Sequence, residues 1–313
     1  MENITNEISA HLPFAKMKHR YPIIRKKGVV SPNGEMTPFV HGGRLYRMEM
    51  VDACKGTGDS GKAYSIIRDV ESGKIISEFA HVHYFPAAFV EGNRVIVTAR
   101  RVIPEAKDYS IIDIFESTDL VNWTERELFR RDGMTLYNTS LVKADDSYVL
   151  LMESNVGPHP FTYLFAKSKN LIDWEFLPIE QGYPHKRYGG GPKMHYCNGK
   201  FYVFAVTELP CEIYTNYLYR TEDFINWEIG KYNPFLMPSN EDMTVAPNAA
   251  DITEEMRKNI DERYNCNNSD VDFCEWQGKT YINYLTGDQL GYHYLAEAEY
   301  DGSIEELLEN FFE

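Results

Sequence analysis

Short apolar runs separated by tight polar turns fill most of the chain, and they come in pairs. Five pairs stand out, at 37–49, 85–97, 138–150, 191–203 and 270–282. Each joins two β-rich runs across a turn, at Gly43, Gly92, Ser147, Gly199 and Gly278. Small or polar residues at such points suit hairpins, because they tolerate the backbone a two-residue turn requires. A second pattern follows three of the pairs. Ser117-Thr-Asp-Leu-Val-Asn-Trp123 recurs as Ser168-Lys-Asn-Leu-Ile-Asp-Trp174 and as Thr221-Glu-Asp-Phe-Ile-Asn-Trp227, with the Trp residues 51 and 53 positions apart. Each copy follows an apolar run, at 110–115, 162–166 and 214–219. The opening Ser/Thr and Asp/Asn side chains can bond nearby backbone groups in a tight turn. The Trp then supplies a large apolar plate to pack between neighbouring sheets.

Five hairpins, each followed by one or two further strands at intervals of about 50 residues, predict five four-stranded sheets. The fold class expected is all-β, a five-bladed β-propeller with approximate blades at 35–80, 81–130, 134–180, 188–233 and 267–302. Two segments depart from the strand pattern. Residues 251–264 read as a helical insertion between blades four and five, opened by an Asp251-x-x-Glu254 box. Residues 303–312 read as a short C-terminal helix, opened by Ser303-x-x-Glu306. No stretch has the composition of a linker, so residues 1–313 are expected to form one domain.

Composition agrees with that picture: 43% of the 313 residues are apolar, and 22 Tyr and 17 Phe favour strands. The net charge of −15 argues against nucleic acid or an anionic membrane as partner. No apolar run reaches the ~20 residues of a membrane span. The polar segment 1–16 has no signal-peptide core, so a cytoplasmic chain is expected. The five cysteines, Cys54, Cys197, Cys211, Cys266 and Cys274, form no CxxC pair and read as reduced thiols. The Gly-rich 56–61 segment has the composition of a phosphate loop but lacks its Gly-Lys-Ser/Thr ending, and is set aside.

The Ser-x-Asp-Leu-x-x-Trp turn, together with inner strands of the Pro-Φ-x-x-x-Gly-x-Φ-Tyr form, resembles the five-bladed propeller glycoside hydrolases. These are family 43 and the related families 32, 62, 117 and 130, and the likeness runs over about residues 35–300. The resemblance implies a carbohydrate substrate and no cofactor, with a structural calcium ion on the axis beside His293 as an option. Family 43 enzymes carry an Asp base, a pKa-tuning Asp and a Glu acid at the starts of inner strands. The matching stretches here, at Thr37, Asn138 and Gly190, carry no carboxylate. Any acids must therefore come from other positions on the same face.

In a propeller the first strand of each blade begins on the face where the second strand ends. The first-strand starts offer Glu35, His81, His83, Asn138, Gly189–Gly191, Asp270 and Asp272. The second-strand ends offer Glu49, Arg100, Arg101, Glu153 and Glu208. Glycoside hydrolysis needs two carboxylic acids, one protonating the leaving oxygen and one activating water or attacking the sugar. Glu208, Asp270 and Glu153, from adjacent blades, are the expected catalytic set. Glu35, His83, Arg100, Asn138, Asp272 and Glu49 are expected to bind substrate, and no metal is assigned. His81 and His83 lack a third ligand, which leaves zinc weakly supported. An inward Arg100 would also suit an anionic group, so phosphorolysis stays open beside hydrolysis. A third reading is a non-catalytic carbohydrate-binding propeller. The expected reaction is exo-acting hydrolysis of short plant or algal oligosaccharides.

Overall fold

The computed structural model describes residues 22–51, 62–103, 105–156, 161–183, 188–288 and 290–312. The 1–16 segment, Cys54 and the Gly-rich 56–61 loop lie outside the described residues. Strand β1 covers Arg25–Ser31. Blade one is β2 (Gly34–His41), β3 (Arg44–Val51), β4 (Tyr64–Asp69) and β5 (Ile75–Phe79). Blade two is β6 (His83–Glu91), β7 (Arg94–Ile103), β8 (Asp108–Ser117) and β9 (Thr124–Arg130). Blade three is β10 (Leu136–Ala144), β11 (Ser147–Ser154), β12 (Thr162–Ser168) and β13 (Glu175–Phe176). Blade four is β14 (Gly190–Cys197), β15 (Lys200–Leu209), β16 (Ile213–Thr221) and β17 (Trp227–Ile229). Blade five holds β18 (Asn267–Trp276), β19 (Lys279–Gly287) and β20 (His293–Tyr300). Helix α1 spans Glu254–Glu262 between blades four and five, and α2 spans Ile304–Asn310 after blade five.

The chain is thus a five-bladed β-propeller. Its five first strands, β2, β6, β10, β14 and β18, neighbour one another in a closed ring around the axis. Each blade is an antiparallel meander, so the ladder runs outward from that ring.

The recurring turn sets the blade edges through local bonds alone. Ser117 Oγ accepts the Leu120 amide at 3.0 Å, and Asp119 Oδ1 accepts the amides of Val121 and Asn122 at 2.9 and 2.8 Å. Ser168 with Asn170, and Thr221 with Asp223, repeat the same bonds. The Trp that follows packs toward the preceding blade. Trp123 stacks on Phe79 at 4.0 Å, and Trp174 meets Phe129 edge-on at 6.2 Å. These aromatic seams bury large plates between sheets and fix the angular spacing of the blades.

The ring is closed by β1, which pairs antiparallel with β20 and makes the fourth strand of blade five. Sequence reading placed only 267–302 in that blade. It missed β1 because Arg-Lys-Lys-Gly-Val-Val-Ser offers charge, a glycine and just two apolar residues. Two buried polar networks hold the closure. Lys26 Nζ donates to Met237 O at 2.6 Å, Asp242 Oδ2 at 2.7 Å and Asn268 Oδ1 at 2.7 Å. At the seam of blades five and one, Glu49 accepts from Ser31 Oγ (2.7 Å), Asn33 Nδ2 (2.8 Å), Arg47 Nε (2.9 Å) and Arg68 Nε (2.8 Å).

Burial opposes ionisation of Glu49, but Arg47 and Arg68 outweigh it and hold the carboxyl at about 2, against an ordinary 4.5. A depressed folded value stabilises the fold above the unfolded value and ceases to do so as pH falls toward 2. Glu49→Gln is therefore expected to lower the unfolding free energy by about 3 kcal/mol at neutral pH. It should also flatten the acid limb between pH 4.5 and 2. Urea denaturation across a pH series measures both.

Candidate active site

Every first strand carries a β-bulge near its start, where two residues face one on the second strand or a single extra residue is inserted. The breaks fall between Gly34 and Met36, Tyr84 and Ala87, Leu136 and Thr139, Gly190 and Lys193, and Ser269 and Asp272. In four of the five a residue takes a left-handed backbone: Glu35 (φ 42°), Phe85 (φ 56°), Gly191 (φ 49°) and Asp270 (φ 51°). A non-glycine residue in that region costs roughly 1–2 kcal/mol. Bulges re-aim side chains, and strain of this kind gathers at functional sites. Here the bulges surround one cavity of about 300 Å³ at the axis, lined among others by Glu35, Tyr84, Phe85, Asn138, Glu153 and Asp270.

The acids cluster around Gly191. A Cβ at that glycine would overlap Asp270 Oδ1, so the missing side chain is what admits the Asp270 carboxyl. The backbone amides of Gly191 and Asn138 favour the ionised form of Glu153, and Asn138 Nδ2 donates to Glu153 Oε2 at 2.9 Å. Burial nevertheless dominates and pushes Glu153 up to about 8. Glu35 is raised well above the carboxylate range by burial and then by the neighbouring Asp270 charge; its Oε2 has no hydrogen-bond partner among the described residues. Asp270 is raised by burial as well, but Ser269, Lys193 and His293 all favour its charged form. Close carboxyls cannot all ionise together. A charged Asp270 raises both Glu35 and Glu153, which favours their protonated forms beside it.

Beside the acids, five rings form an edge-to-face arc across blades two to four. Phe85, Tyr137, Phe161, Tyr188 and Tyr214 follow one another at centroid distances of 6.0, 5.1, 5.5 and 5.9 Å. Phe85, Phe161 and Tyr188 face the cavity. Acids and aromatic rings thus line the same cavity, a combination that suits a ligand with hydroxyl edges and an apolar face.

Of the residues singled out in the sequence, Glu35, Asn138, Glu153, Gly190, Gly191, Asp270 and His293 meet in this cavity. The others do not. Glu208 is exposed and is not part of the lining, although Val206, two residues before it, is. The cavity lining therefore lends no support to the catalytic role expected of Glu208. Glu49 belongs to the blade seam described above, because Met50 takes the cavity side of β3. His83 Nε2 lies 2.6 Å from Asp113 Oδ2, while the adjacent Tyr84 takes the cavity side of β6. Arg101 grips both oxygens of Asp113 at 2.5 Å. Arg100 lies behind the wall, donating to Leu136 O at 3.0 Å with its guanidinium 4.8 Å from the Phe85 ring and 5.1 Å from Tyr109. Asp272 lines a separate cavity at the other end of the axis, with Thr37, Ser140 and His195.

One His–Asp–Glu group among the described residues, His83, Asp113 and Glu125, brings its ligand atoms within 4.8 Å of one another. Because Arg101 already neutralises Asp113, this reads as an ion network, not a metal centre. Sequence reading missed Lys193 and most of the aromatic arc. The two-residue step from Gly191 to Lys193, matching Asp270 to Asp272, was the available signal for Lys193. Tyr188 and Phe161 come from connecting segments that carry no pattern.

The sequence matches no protein-family profile and no curated protein. Among solved structures it is similar to the GH32 beta-fructofuranosidase BmSUC1 of Bombyx mori, at 13% identity and a TM-score of 0.56. That alignment covers 95% of this chain and 66% of the silkworm protein. It is also similar to the alpha-L-arabinofuranosidase PaAbf62A of Podospora anserina, solved in complex with cellotriose, at 8% identity and a TM-score of 0.59, covering 90% and 96%. The GH43 protein BlXynB of Bacillus licheniformis matches at 14% and 0.57, covering 86% of this chain and 52% of its own. The chain thus spans just under two thirds of the silkworm protein's length and about half of the Bacillus protein's. These likenesses are of fold, and the fold is the propeller expected from the repeats.

The raised Glu153 gives a pH signature. The folded state keeps that proton up to about pH 8, whereas the unfolded chain releases it near 4.5, so stability declines between those values. Glu153→Gln cannot ionise. Between pH 5 and pH 9 the wild type is expected to lose about 4 kcal/mol more than the variant, measured by denaturant unfolding at both pH values.

Proposed function

We propose that this chain is a glycoside hydrolase whose reacting groups are Asp270 and Glu153. The observation that carries the reading is the meeting of buried acids in one axial cavity, where burial holds Glu153 up at about 8 while Ser269, Lys193 and His293 favour a charged Asp270. Glycosidic cleavage needs that pairing. A protonated carboxyl gives its proton to the leaving oxygen, and a carboxylate activates water or attacks the anomeric carbon. Glu153 fills the first role and Asp270 the second. Asn138 orients Glu153 through its 2.9 Å bond, and Glu35 adds a hydrogen-bond donor for a sugar hydroxyl.

The aromatic arc supports a sugar ligand, since ring faces pack against the C–H side of a pyranose or furanose. A cavity of about 300 Å³ suits a chain end better than the middle of a polymer, which favours exo action on short plant or algal oligosaccharides. The named activities of the fructofuranosidase and arabinofuranosidase that share the fold point the same way. Phosphorolysis has less support: Arg100 and Arg101, its expected anion ligands, are engaged with Leu136 and Asp113.

A screen of aryl glycosides and plant oligosaccharides, with and without phosphate, tests the reading. Asp270→Asn and Glu153→Gln are expected to lower kcat/KM by about 10³-fold, and Glu208→Gln by less than about threefold. Activity should fall above pH 8 as Glu153 loses its proton. Sugar binding without turnover in the wild type would favour the binding module, and release of a sugar phosphate would favour phosphorolysis.

A further inference from the structure

Lys193 has entered so far only as one of the groups that favour a charged Asp270. It lies on β14, is 2% exposed, and its Nζ has no hydrogen-bond partner among the described residues. A buried ammonium without a partner is costly unless charge compensates it. Its neighbours on β18 supply that charge. Two residues before Lys193, Gly191 is in contact with the Asp270 carboxyl. Asp272, two residues past Asp270, places Oδ2 at 3.8 Å from Lys193 Nζ. The pair Gly191 and Lys193 thus faces the pair Asp270 and Asp272 across neighbouring inner strands. His195 Nε2 lies 3.3 Å from Asp272 Oδ1 and joins the same row.

We propose that Lys193 is a positioning residue of this site: its buried ammonium, set on the axis beside Asp270 and Asp272, supplies the positive charge that selects Asp270 as the carboxylate of the cluster. The inference rests on the hydrolase reading only for what the selected carboxylate then does. The charged and titratable groups around Asp270 are Glu35 on β2, Glu153 on β11, Lys193 and His195 on β14, Asp272 on β18 and His293 on β20, with Arg100 on β7 behind the Glu35 side. Burial presses Asp270 toward protonation. Burial lowers His293 and so disfavours its charge, which leaves Lys193 as the other cationic side chain acting on Asp270. Lys193 also acts on Glu35, but Glu35 lacks the Ser269 bond that favours an ionised Asp270. Gly191 completes the device. Any side chain there would displace the Asp270 carboxyl from beside the strand that carries Lys193.

The test is a titration that needs no substrate: carbon-13 NMR of the protein labelled at Asp side-chain carboxyls, with Asp270 assigned through Asp270→Asn. In wild type the Asp270 signal is expected to report a carboxylate at pH 7. Lys193→Met should move its midpoint up by at least about one pH unit, a tenfold change in proton affinity, and Lys193→Arg should restore it. Asp272→Asn should move it the opposite way, since a negative neighbour is lost while its carbonyl still accepts the Phe273 amide. That variant decides the matter if Lys193→Met does not fold. An Asp270 midpoint unmoved in folded Lys193→Met, or not lowered in Asp272→Asn, overturns the proposal. If the midpoints move as stated and no glycoside is cleaved, the hydrolase reading fails alone.

Discussion

Three carboxyl groups, Glu35, Glu153 and Asp270, are buried together at the axis, and that crowding is what the rest of the molecule must support. Burying acids within reach of one another is unfavourable on two counts, lost hydration and mutual repulsion. Two of them, Glu35 and Asp270, add the backbone strain of a left-handed bulge. A flexible scaffold would relieve all of this by letting the strands part. The ring of first strands does not part, because the Trp and Phe plates wedge between blades and the last seam is locked by the Glu49 and Lys26 networks. The stability of the outer structure therefore appears at the axis as perturbed proton affinity.

The parts that could be read from the sequence are those whose physics is local. The Ser-x-Asp-Leu-x-x-Trp turn closes on its own side chains, so three copies announced three blade edges without any knowledge of the fold. Glu153 and Asp270 stood out because polar residues at strand ends have few other uses. What escaped reading depends on parity or on distance. Adjacent strand residues face opposite sides, and Met50 rather than Glu49, and Tyr84 rather than His83, took the cavity side. Glu208 is exposed and stays out of the lining. The β1 strand looked like a charged tail because its partner is far away in the chain. Lys193 was hidden inside a hairpin whose polar residues were taken for an ordinary blade.

Solved propellers at 8 to 14% identity superpose over most of the chain, which indicates how little of the sequence the architecture demands. The architecture requires alternation, turns and wedges, and many residue choices satisfy those. The axis is different. Which side chain occupies each bulge is free as far as blade stability goes, so chemistry can change there while the blades persist. In this chain the bulge of blade four has spent its position on a glycine, and the acid of blade five occupies the space that the glycine leaves.

The pairing of β1 with β20 has a consequence for how such a site comes into being. Arg25 and Glu299, which face each other across that pairing, are 274 residues apart in the chain. A ribosome delivers the first strand of the closing sheet early and its partner last, so β1 must wait unpaired while four blades assemble. Contacts of such range are slow to form. Glu35 and Asp270 lie on blades one and five, on either side of this seam, and they become neighbours only when it shuts. The acid cluster is thus a property of the finished circle, and no half-made propeller carries a working fragment of it.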